Sequence, residues 1–451
     1  MFRKILIANR GEIALRVIRA CREMGIPCVI AHSEADRDSL PVLMADEHIC
    51  IGPGASGKSY LNIPNIISAA MISGADAIHP GYGFLSENTS FAEICADAHI
   101  TFIGPSASVM ALMGDKVSAR ESMAELGLPM LPGTPVLRTL AEGLEAAKDI
   151  GFPLMLKAAA GGGGRGIRLV KHKDEFERVF TTAQNEVREA FRDDGLYLER
   201  YLERARHIEI QVLVDNFGHG VYLGERNCSC QRRHQKVLEE SPSPLLSPEL
   251  REEIGTKAIR AVEQIGYRNA GTLEFLMDEQ DRYYFMEMNT RLQVEHPVTE
   301  LVTSTDLVKE QIRIAAGMPL QLEQEDIHLR GHAIECRIAA EDAEHDFRPQ
   351  TGTIEKYLPP GGPGVRVDSH LYAGYSVPPH YDSLLAKLIV WAETREAAIA
   401  RMQRALDEYI IEGIATTIPF HKRLLRHEGF IRGETYTRFL QEEATALGIK
   451  E

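Results

Sequence analysis

The stretch GTLEFLMDEQDRYYFMEMN at residues 271–289 is predicted to form a β-hairpin, with residues 278–281 as its turn. In that register Glu274 pairs with Phe285. Directly opposed residues share a face of a hairpin, and so do residues two apart on one strand. We therefore expect Glu274 and Glu287 on one face as diagonal neighbours, roughly 7–8 Å apart at Cα.

The side chain of Asn289 joins the two carboxylates on this face, because it lies two residues after Glu287. Two carboxylates and an amide oxygen make a hard oxygen site, which suits magnesium bound together with ATP phosphates. A solvated polar face is the alternative, since the apolar residues on the other side of the hairpin fit either interpretation.

The first region of the chain predicts an α/β domain. Strands are expected at residues 3–8 and 27–32, on either side of an amphipathic helix at 11–24, which gives a β-α-β unit with a parallel sheet. The first strand is followed by Asn-Arg-Gly-Glu at residues 9–12 rather than by Gly-x-Gly-x-x-Gly. A dinucleotide site is therefore not predicted.

Two further regions are predicted after residue 113. The second region mixes helices at 116–126, 139–150 and 306–316 with strands at 153–159, 167–170, 207–215 and 220–226. The third region, from about residue 332, is rich in strands. It ends with a strand at 385–391 and an Ala-rich helix at 395–411.

Composition disfavours several classes of protein. The 451 residues include 50 Lys and Arg against 65 Asp and Glu, and the net charge of −15 argues against nucleic acids and anionic membranes as partners. No apolar run approaches the roughly 18 residues of a membrane span, and the N-terminal apolar run is too short for a signal peptide. The 7 cysteines form no Cys-x-x-Cys pair, which predicts a reduced, cytoplasmic protein and disfavours a metal site at Cys228 and Cys230.

Residues 52–59, GPGASGKS, match the phosphate-binding P-loop pattern, with Lys58 as its lysine. A P-loop needs a helix that begins directly after the lysine, so that backbone N–H groups face the phosphates. Pro64 would break such a helix within its first two turns, and a helix that starts at Pro64 is the better prediction. A P-loop NTPase that uses Lys58 is therefore the less favoured interpretation.

A second glycine-rich stretch, GGGGRG at residues 161–166, is expected between two strands. Consecutive glycines let backbone N–H groups turn toward an anion and let a loop move as a flap. Lys157 lies just before this stretch in an apolar strand, where its ammonium can neutralise a phosphate. A flexible hairpin loop beside a lysine that reaches the surface is the alternative.

Further polar residues follow the hairpin. Arg291, Gln293 and Glu295 share one side if the chain is extended, and this trio can hold a small anion and remove a proton from it. A basic stretch at residues 226–236 can supply more positive charge, and Arg337 lies on the polar face of a later strand. The density of such groups, rather than any one of them, indicates a functional site.

These motifs together resemble the biotin carboxylase family over about residues 1–445. The resemblance rests on HPGYGFLSEN at 79–88, MGDK at 113–116, the glycine run at 161–166, QRRHQK at 231–236 and EMNTRLQVEHP at 287–297. Ala160 and Asn269 stand where relatives commonly have glycine. Neither is a charged or liganding position, so the implied chemistry is unaffected.

The resemblance implies an α/β fold, α+β in part, with three domains. These are an N-terminal Rossmann-like α/β domain at 1–114, a central ATP-grasp domain at 115–323 and a strand-rich C-terminal domain at 332–445. In an ATP-grasp fold ATP lies between two antiparallel sheets, and a mobile glycine-rich lid is expected at about 132–203. The family is usually homodimeric.

The resemblance also implies roles for individual residues. Those that bind ATP are Lys116, Lys157, Gly163, Gly164, Glu199, Tyr201, Leu202, His207, His234, Glu274 and Glu287. Those that bind magnesium or manganese are Glu274, Glu287 and Asn289. Those that bind bicarbonate are Lys236, Arg291, Gln293 and Val294, and those that face biotin are Tyr82 and Arg337. The catalytic set is Glu295, the base that deprotonates bicarbonate, with Arg291, Lys236 and Arg337.

The implied activity is ATP- and bicarbonate-dependent carboxylation of biotin through carboxyphosphate. The chain contains no Met-Lys-Met biotinyl-lysine site and no carboxyltransferase region, so biotin is expected on a separate biotin carboxyl carrier protein, with carboxyltransferase subunits as further partners. This suits the first half-reaction of acetyl-CoA carboxylase in fatty acid synthesis. A two-subunit pyruvate carboxylase or another acyl-CoA carboxylase is the alternative, and a nucleotide-binding regulatory module without turnover is a different class.

Overall fold

The computed structural model describes residues 1–159, 168–191 and 194–449. The first region is a parallel five-stranded sheet with strand order β3-β2-β1-β4-β5. Its strands are β1 Ile5–Ile7, β2 Cys28–Ser33, β3 Glu47–Gly52, β4 Ala77–His79 and β5 Thr101–Phe102. Its helices are α1 Gly11–Glu23, α2 Leu40–Met44, α3 Ile63–Ser73, α4 Thr89–Asp97 and α5 Ala107–Gly114. The predicted β-α-β unit is confirmed.

The helix after the P-loop-like stretch begins where Pro64 predicts. Residues 56–58 form one short turn, and α3 starts four residues after Ser59. The Asn62 side chain accepts a hydrogen bond from the Asn65 N–H at 3.1 Å and caps the helix, with Pro64 in its first turn. Because no helix begins directly after Lys58, the backbone N–H groups of a P-loop are not arranged around it.

The second region opens with a small antiparallel sheet of order β7-β6-β8, covered by two helices. The elements are α6 Lys116–Glu125, α7 Leu140–Ile150, β6 Leu154–Ala158, β7 Arg168–Val170, α8 Lys173–Phe191 and β8 Leu196–Arg200. Buried Phe176 and Phe180 of α8 pack on the sheet with α7. Ala160, Gly163 and Gly164, which the sequence analysis singled out, lie outside the described residues.

A large antiparallel sheet of eight strands forms the rest of the second region and continues into the third. Its order is β13-β12-β9-β10-β11-β14-β21-β19. The strands are β9 Arg206–Val214, β10 Gly220–Arg232, β11 Gln235–Ser241, β12 Asn269–Met277, β13 Tyr283–Asn289, β14 His332–Ala339, β19 Val365–Ser369 and β21 Leu384–Ala392. Pairing of β11 with β14 joins the two regions into one surface.

The remaining elements pack around this sheet. The helices are α9 Pro248–Gln264, α10 His296–Thr303, α11 Leu307–Ala315, α12 Arg395–Glu408, α13 Ile418–Leu424, α14 Glu428–Ile431 and α15 Phe439–Glu442. The short strands are β15 Glu341–Asp342, β16 Arg348–Pro349, β17 Gly352–Thr353, β18 Lys356–Leu358, β20 Ser376–Val377 and β22 Ile410–Glu412. No helix in the described ranges is long and apolar enough to cross a membrane.

The hairpin β12–β13 exists, but its predicted register is wrong. Phe275, not Glu274, pairs with Phe285, and the turn is one residue longer than expected. A β-bulge then shifts the pairing, so that Glu274 lies directly opposite Glu287 instead of diagonally. The predicted face survives, because directly opposed residues also point to the same side of the sheet.

Candidate active site

A cleft of about 1810 Å³ lies between the small sheet, the large sheet and the first region. It gathers most of the residues that the sequence analysis singled out. Those lining it are Tyr82, Lys116, Lys157, Glu199, His207, His234, Lys236, Glu274, Glu287, Asn289, Arg291, Gln293, Val294 and Arg337. Glu295 is fully buried beneath the cleft, and its carboxylate contacts the side chains of Lys236, Arg337 and Cys228. Tyr201 and Leu202 lie in the irregular segment directly after β8 and do not line the cleft.

The ammonium of Lys236 is the centre of the site. Its Nζ atom donates to the carboxylates of Glu209 at 2.6 Å, Glu274 at 2.9 Å and Glu295 at 2.7 Å. Burial would lower the pKa of Lys236, but the three carboxylates raise it well above its usual value. Lys236 is therefore a fixed positive charge at the floor of the cleft.

Glu209 is held from behind by a second buried cation, Arg226. The two side chains form an ion pair, and Arg226 also donates to Gln211 at 2.8 Å, Thr299 at 3.0 Å and Thr272 at 3.2 Å. Burial would raise the pKa of Glu209, but Arg226 and the lysine beside it hold that pKa well below the usual range. The carboxylate stays ionised and keeps Lys236 in place.

Glu209 was not predicted as a site residue, and Arg226 was named only as the first residue of the basic stretch 226–236 that can supply positive charge. The sequence feature that could have indicated Glu209 is the alternation along β9, in which His207, Glu209 and Gln211 share one face. The structure shows that this strand is buried on both faces. Polar residues on such a strand need partners, and here those partners form the floor of the site.

The carboxylate of Glu295 lies between two cations. Its Oε1 atom accepts from Lys236, and its Oε2 atom accepts from Arg337 at 2.9 Å. The Cys228 thiol is 3.8 Å from the same carboxylate. Burial and Glu209 would raise the pKa of Glu295, but Lys236 and Arg337 hold it below its usual value.

Arg337 reaches this point because β14 pairs with β11. Its guanidinium also binds Glu239 of β11 at 2.6 and 2.7 Å. Burial raises the pKa of Glu239 to about 7, and the arginine opposes that rise. Arg337 is therefore shared between two carboxylates, Glu239 and Glu295, at the boundary between the second and third regions.

The hairpin presents the expected oxygen-rich face. Glu274 accepts from Lys236, from the Asn289 amide at 2.9 Å and from the Gln293 amide at 2.9 Å. Burial would raise the pKa of Glu274, but Lys236 and His207 hold it well below the usual range. His207 lies 3.3 Å from the same carboxylate.

Glu287 differs from Glu274 in having no fixed partner. Within the described ranges its carboxylate forms no hydrogen bond or ion pair, and it is exposed to the cleft. Desolvation in the cleft and repulsion from Glu274 raise its pKa, while Lys116 opposes that rise. A divalent cation relieves such repulsion, so two facing carboxylates with the Asn289 oxygen beside them fit a magnesium ion.

The cleft wall beside the first region holds Arg291 and Tyr82. Arg291 donates to Glu87 at 2.8 Å and to the Asn289 oxygen at 3.1 Å. The Tyr82 hydroxyl donates to Glu12 of α1. The contact between Arg291 and Glu87 attaches the loop after β13 to the first region, and both Arg291 and Tyr82 line the cleft.

The opposite end of the cleft carries further lysines. Lys157 of β6 and Arg120 of α6 both form ion pairs with Glu199 of β8, which is buried. Lys116, at the start of α6, also lines the cleft. Two cations share the Glu199 carboxylate and Lys116 adds a third positive charge to the cleft, so this part of the cleft is suited to a polyanion.

Cys228 and Cys230 of β10 lie in different surroundings. The Cys228 thiol contacts Glu295, whereas Cys230 is packed in the apolar core of the third region.

Family models match the chain in three consecutive segments. Residues 1–110 match the biotin carboxylase N-terminal domain, and residues 335–442 match the biotin carboxylase C-terminal domain. Residues 115–323 match the ATP binding domain of the carbamoyl-phosphate synthase L chain.

Known proteins match over nearly the full length of the chain. A biotin carboxylase of Nostoc is 60% identical over 98% of this chain and 99% of its own. A Campylobacter jejuni biotin carboxylase in complex with an ATP compound superposes with a TM-score of 0.95 at 50% identity, over 98% of this chain and 99% of that one.

A third match was solved in complex with a nucleotide and bicarbonate. The biotin carboxylase domain dimer of Hydrogenobacter thermophilus 2-oxoglutarate carboxylase, in complex with MgADP, ADP and bicarbonate, has a TM-score of 0.94 at 50% identity and covers both chains fully. The fold, the cleft and these matches agree, and the chain belongs to the biotin carboxylase family.

Proposed function

We propose that this chain catalyses the ATP- and bicarbonate-dependent carboxylation of biotin on a separate carrier protein. One observation carries the proposal: the buried carboxylate of Glu295 binds Lys236 and Arg337, and these two cations line the same cleft as the oxygen face of the β12–β13 hairpin. A proton acceptor, two cations for an anionic substrate and a metal-binding face are thus within one enclosure.

The site divides into three neighbouring parts. Lys116, Lys157 and His207 would contact the nucleotide, together with the further ATP-binding residues named above. Glu274, Glu287 and Asn289 would hold magnesium, which supplies charge neutralisation at the phosphates. Lys236, Arg291, Gln293 and Val294 would hold bicarbonate, and Tyr82 and Arg337 would face biotin.

The chemistry of Glu295 follows from its partners. An entering bicarbonate anion competes for the Lys236 ammonium and the Arg337 guanidinium, which in the present arrangement both bind Glu295. A carboxylate that loses two cationic partners becomes a stronger base. Glu295 then removes the bicarbonate proton, and the freed oxygen attacks the γ-phosphorus of ATP, giving carboxyphosphate and ADP.

The second half of the reaction uses Arg337. Carboxyphosphate yields carbon dioxide and phosphate, the phosphate takes the ureido proton of biotin, and the ureido nitrogen attacks carbon dioxide. The negative charge on the ureido oxygen would be stabilised by the Arg337 guanidinium. The buried Glu239 on its other side keeps that guanidinium at the cleft.

The final acceptor, partners and location are the finer part of the proposal. We assign the chain to acetyl-CoA carboxylase, acting as a cytoplasmic homodimer with a biotin carboxyl carrier protein and carboxyltransferase subunits. Relatives of similar identity serve other acceptors, as the 2-oxoglutarate carboxylase domain does. A pyruvate or other acyl-CoA carboxylase is therefore the alternative, and the acceptor used with the cognate carboxyltransferase decides between them.

The test is ADP release by the purified protein with and without bicarbonate and free biotin. Bicarbonate-dependent ADP release together with carboxybiotin formation is expected. ATP hydrolysis that ignores bicarbonate would favour a plain NTPase, and ATP binding without any turnover would favour a regulatory module. Either result contradicts the proposal.

A further inference from the structure

Lys387 is a fully buried lysine that the proposed mechanism does not use. It lies on β21 directly opposite Arg337 of β14, and its side chain has no exposed surface. Its Nζ atom donates to the Val294 carbonyl at 2.9 Å and lies 3.2 Å from the Glu12 carboxylate. Burying an unpaired ammonium group destabilises the folded state, so the partners of Lys387 show what this lysine does in the fold.

The contacts of Lys387 join all three regions of the chain. Glu12 is on α1 of the first region, Val294 is in the loop after β13, and Lys387 itself is on β21. Its Nζ atom also lies 4.0 Å from Asp368, whose carboxylate binds Arg366 at 2.7 Å. Glu12 is therefore the nearer carboxylate to Lys387, at 3.2 Å, and Asp368 already has a cation of its own.

A chain of contacts runs from Lys387 to the biotin-facing side of the cleft. The Tyr82 hydroxyl donates to one oxygen of Glu12, and the other oxygen faces Lys387. The Nζ atom also lies 6.0 Å from the centre of the Tyr82 ring. The position of this ring is thus tied to the lysine through one shared carboxylate.

On the other side, Lys387 fixes the backbone that precedes the proposed base. The Val294 carbonyl accepts from Lys387, and the Gln293 carbonyl lies 2.8 Å from the Nδ1 atom of buried His296. A carbonyl only accepts, so His296 carries its proton on Nδ1. The peptide groups before and after Val294 are both fixed by these contacts. They set the direction of the Val294 N–H and the position of the Glu295 backbone, from which its side chain extends.

We propose that Lys387 is a positioning residue that holds the bicarbonate-binding backbone at Val294 and the biotin-facing ring of Tyr82 in a fixed relation. It touches neither substrate. The inference rests on the proposed function, which assigns bicarbonate to Val294 and biotin to Tyr82. Small displacements of substrate-binding groups strongly reduce the rate, since a shift of about 1 Å can lower it by roughly a hundredfold.

The test compares Lys387→Met with the double variant Glu12→Gln/Lys387→Met. Lys387→Met leaves the Glu12 carboxylate buried without its cation, so this variant is expected to lose stability. The double variant removes both charges and is expected to regain it. Because the Val294 carbonyl lacks its donor in both, the KM for bicarbonate should stay about 10- to 100-fold above that of the parent protein.

Two readouts separate positioning from a merely structural role. The KM for ATP and the affinity for a non-hydrolysable ATP analogue should stay within about threefold of the parent in the double variant, because no nucleotide contact changes. Lys257→Met is the matched control and should leave every constant unchanged, because in the described part of the chain this α9 lysine contacts Glu253 of the same helix and the ring of Tyr283 on β13.

The outcomes decide different questions. No bicarbonate-dependent ADP release by the parent protein contradicts the proposed function. An active parent with a normal bicarbonate KM in the double variant, or a parallel loss of ATP and bicarbonate affinity, overturns the role of Lys387. If neither Lys387 variant folds, the single variant Glu12→Gln provides the test. It should raise the KM for free biotin severalfold, because Glu12 connects Tyr82 to Lys387. An unchanged KM for biotin overturns the proposal.

Discussion

Glu274 lies directly opposite Glu287 across the β12–β13 hairpin because Met286 is the extra residue of a β-bulge. Without the bulge, the pairing of Phe275 with Phe285 would place Met286 opposite Glu274 and turn Glu287 to the other face. One inserted residue thus creates the pair of facing carboxylates. Bulges commonly re-aim side chains beside active sites, and this one builds the proposed metal face.

Replacing Glu287 by glutamine should lower carboxylation by at least about a hundredfold, because the change removes the one carboxylate of the pair that has no other partner. The rate of bicarbonate-dependent ADP release across a magnesium titration measures the effect. Glu279→Gln, at the exposed tip of the same hairpin, is the control and should behave as the parent protein does. Near-parental rates for Glu287→Gln at low magnesium would contradict the metal assignment.

The sequence was sufficient to place these carboxylates on one face but not to set their register. The alternation of side chains shows which residues share a face of the hairpin. It does not set the pairing register, because a shift by an even number of residues leaves the same residues on that face. The turn of five residues and the bulge each move the pairing by one residue in the same direction. Together they change the partner of Glu287 from the predicted Thr272 to Glu274, and a shift of two residues preserves the parity. Nothing local in the stretch 271–289 marks the bulge, because glycine is not required there.

Lys58 should be dispensable for ATP turnover. Its side chain is exposed, and the helix that a P-loop needs begins only at Ile63, under the cap of Asn62. Lys58→Ala is expected to keep ADP release within a factor of about three of the parent, as for most surface substitutions. Lys116→Ala is the contrasting variant. A collapse of nucleotide affinity in folded Lys58→Ala protein would revive the P-loop interpretation.

The continuity of the large sheet could not be predicted from the sequence. The sequence separates a second region that ends near 323 from a third that starts near 332, and the structure pairs β11 with β14 across that boundary. Long-range pairing of this kind leaves no local pattern, since each strand alternates in the same way whatever its neighbour. Arg337 was therefore recognised through the resemblance, while its partner Glu239 was missed.

Acid should destabilise the fold partly through His421, which supports the Arg337 backbone. Its Nε2 atom lies 2.8 Å from the Arg337 carbonyl, and burial lowers its pKa to about 4. An unfolded histidine titrates near 6.5, so the unfolded state binds more protons between pH 6.5 and 4. The contribution of this group to stability is complete above pH 6.5 and is lost as the pH falls toward 4.

His421→Gln keeps a donor for the Arg337 carbonyl and removes the titration. Urea unfolding at several pH values should show that the free energy of unfolding of the variant falls less steeply between pH 6.5 and 4, by up to about one proton in the linkage slope. His328→Gln, at an exposed position, should keep the parental slope. Parallel curves for His421→Gln and the parent would show that the buried imidazole does not titrate as stated.

The strongest prediction concerns Glu295, the carboxylate between Lys236 and Arg337. Glu295→Gln preserves volume and most hydrogen bonding, but an amide cannot accept the bicarbonate proton at neutral pH. The nucleotide end of the cleft, with Lys116 and Lys157, is unchanged by the substitution. We therefore expect near-normal binding of an ATP analogue, with bicarbonate-dependent turnover and carboxylation of free biotin lower by about 10²–10⁴.

The loss should appear in kcat rather than in nucleotide affinity, because the group acts on a proton and not on ATP. Titration with an ATP analogue and a coupled ADP assay, each with and without bicarbonate and biotin, measure the two quantities on the same protein. Glu310→Gln, on the neighbouring helix α11, is the matched control. If Glu295→Gln turns over normally while the parent protein shows bicarbonate-dependent ADP release, the enzyme class stands but another group must take the proton. Glu209, which also binds the Lys236 ammonium, would then be the next residue to replace.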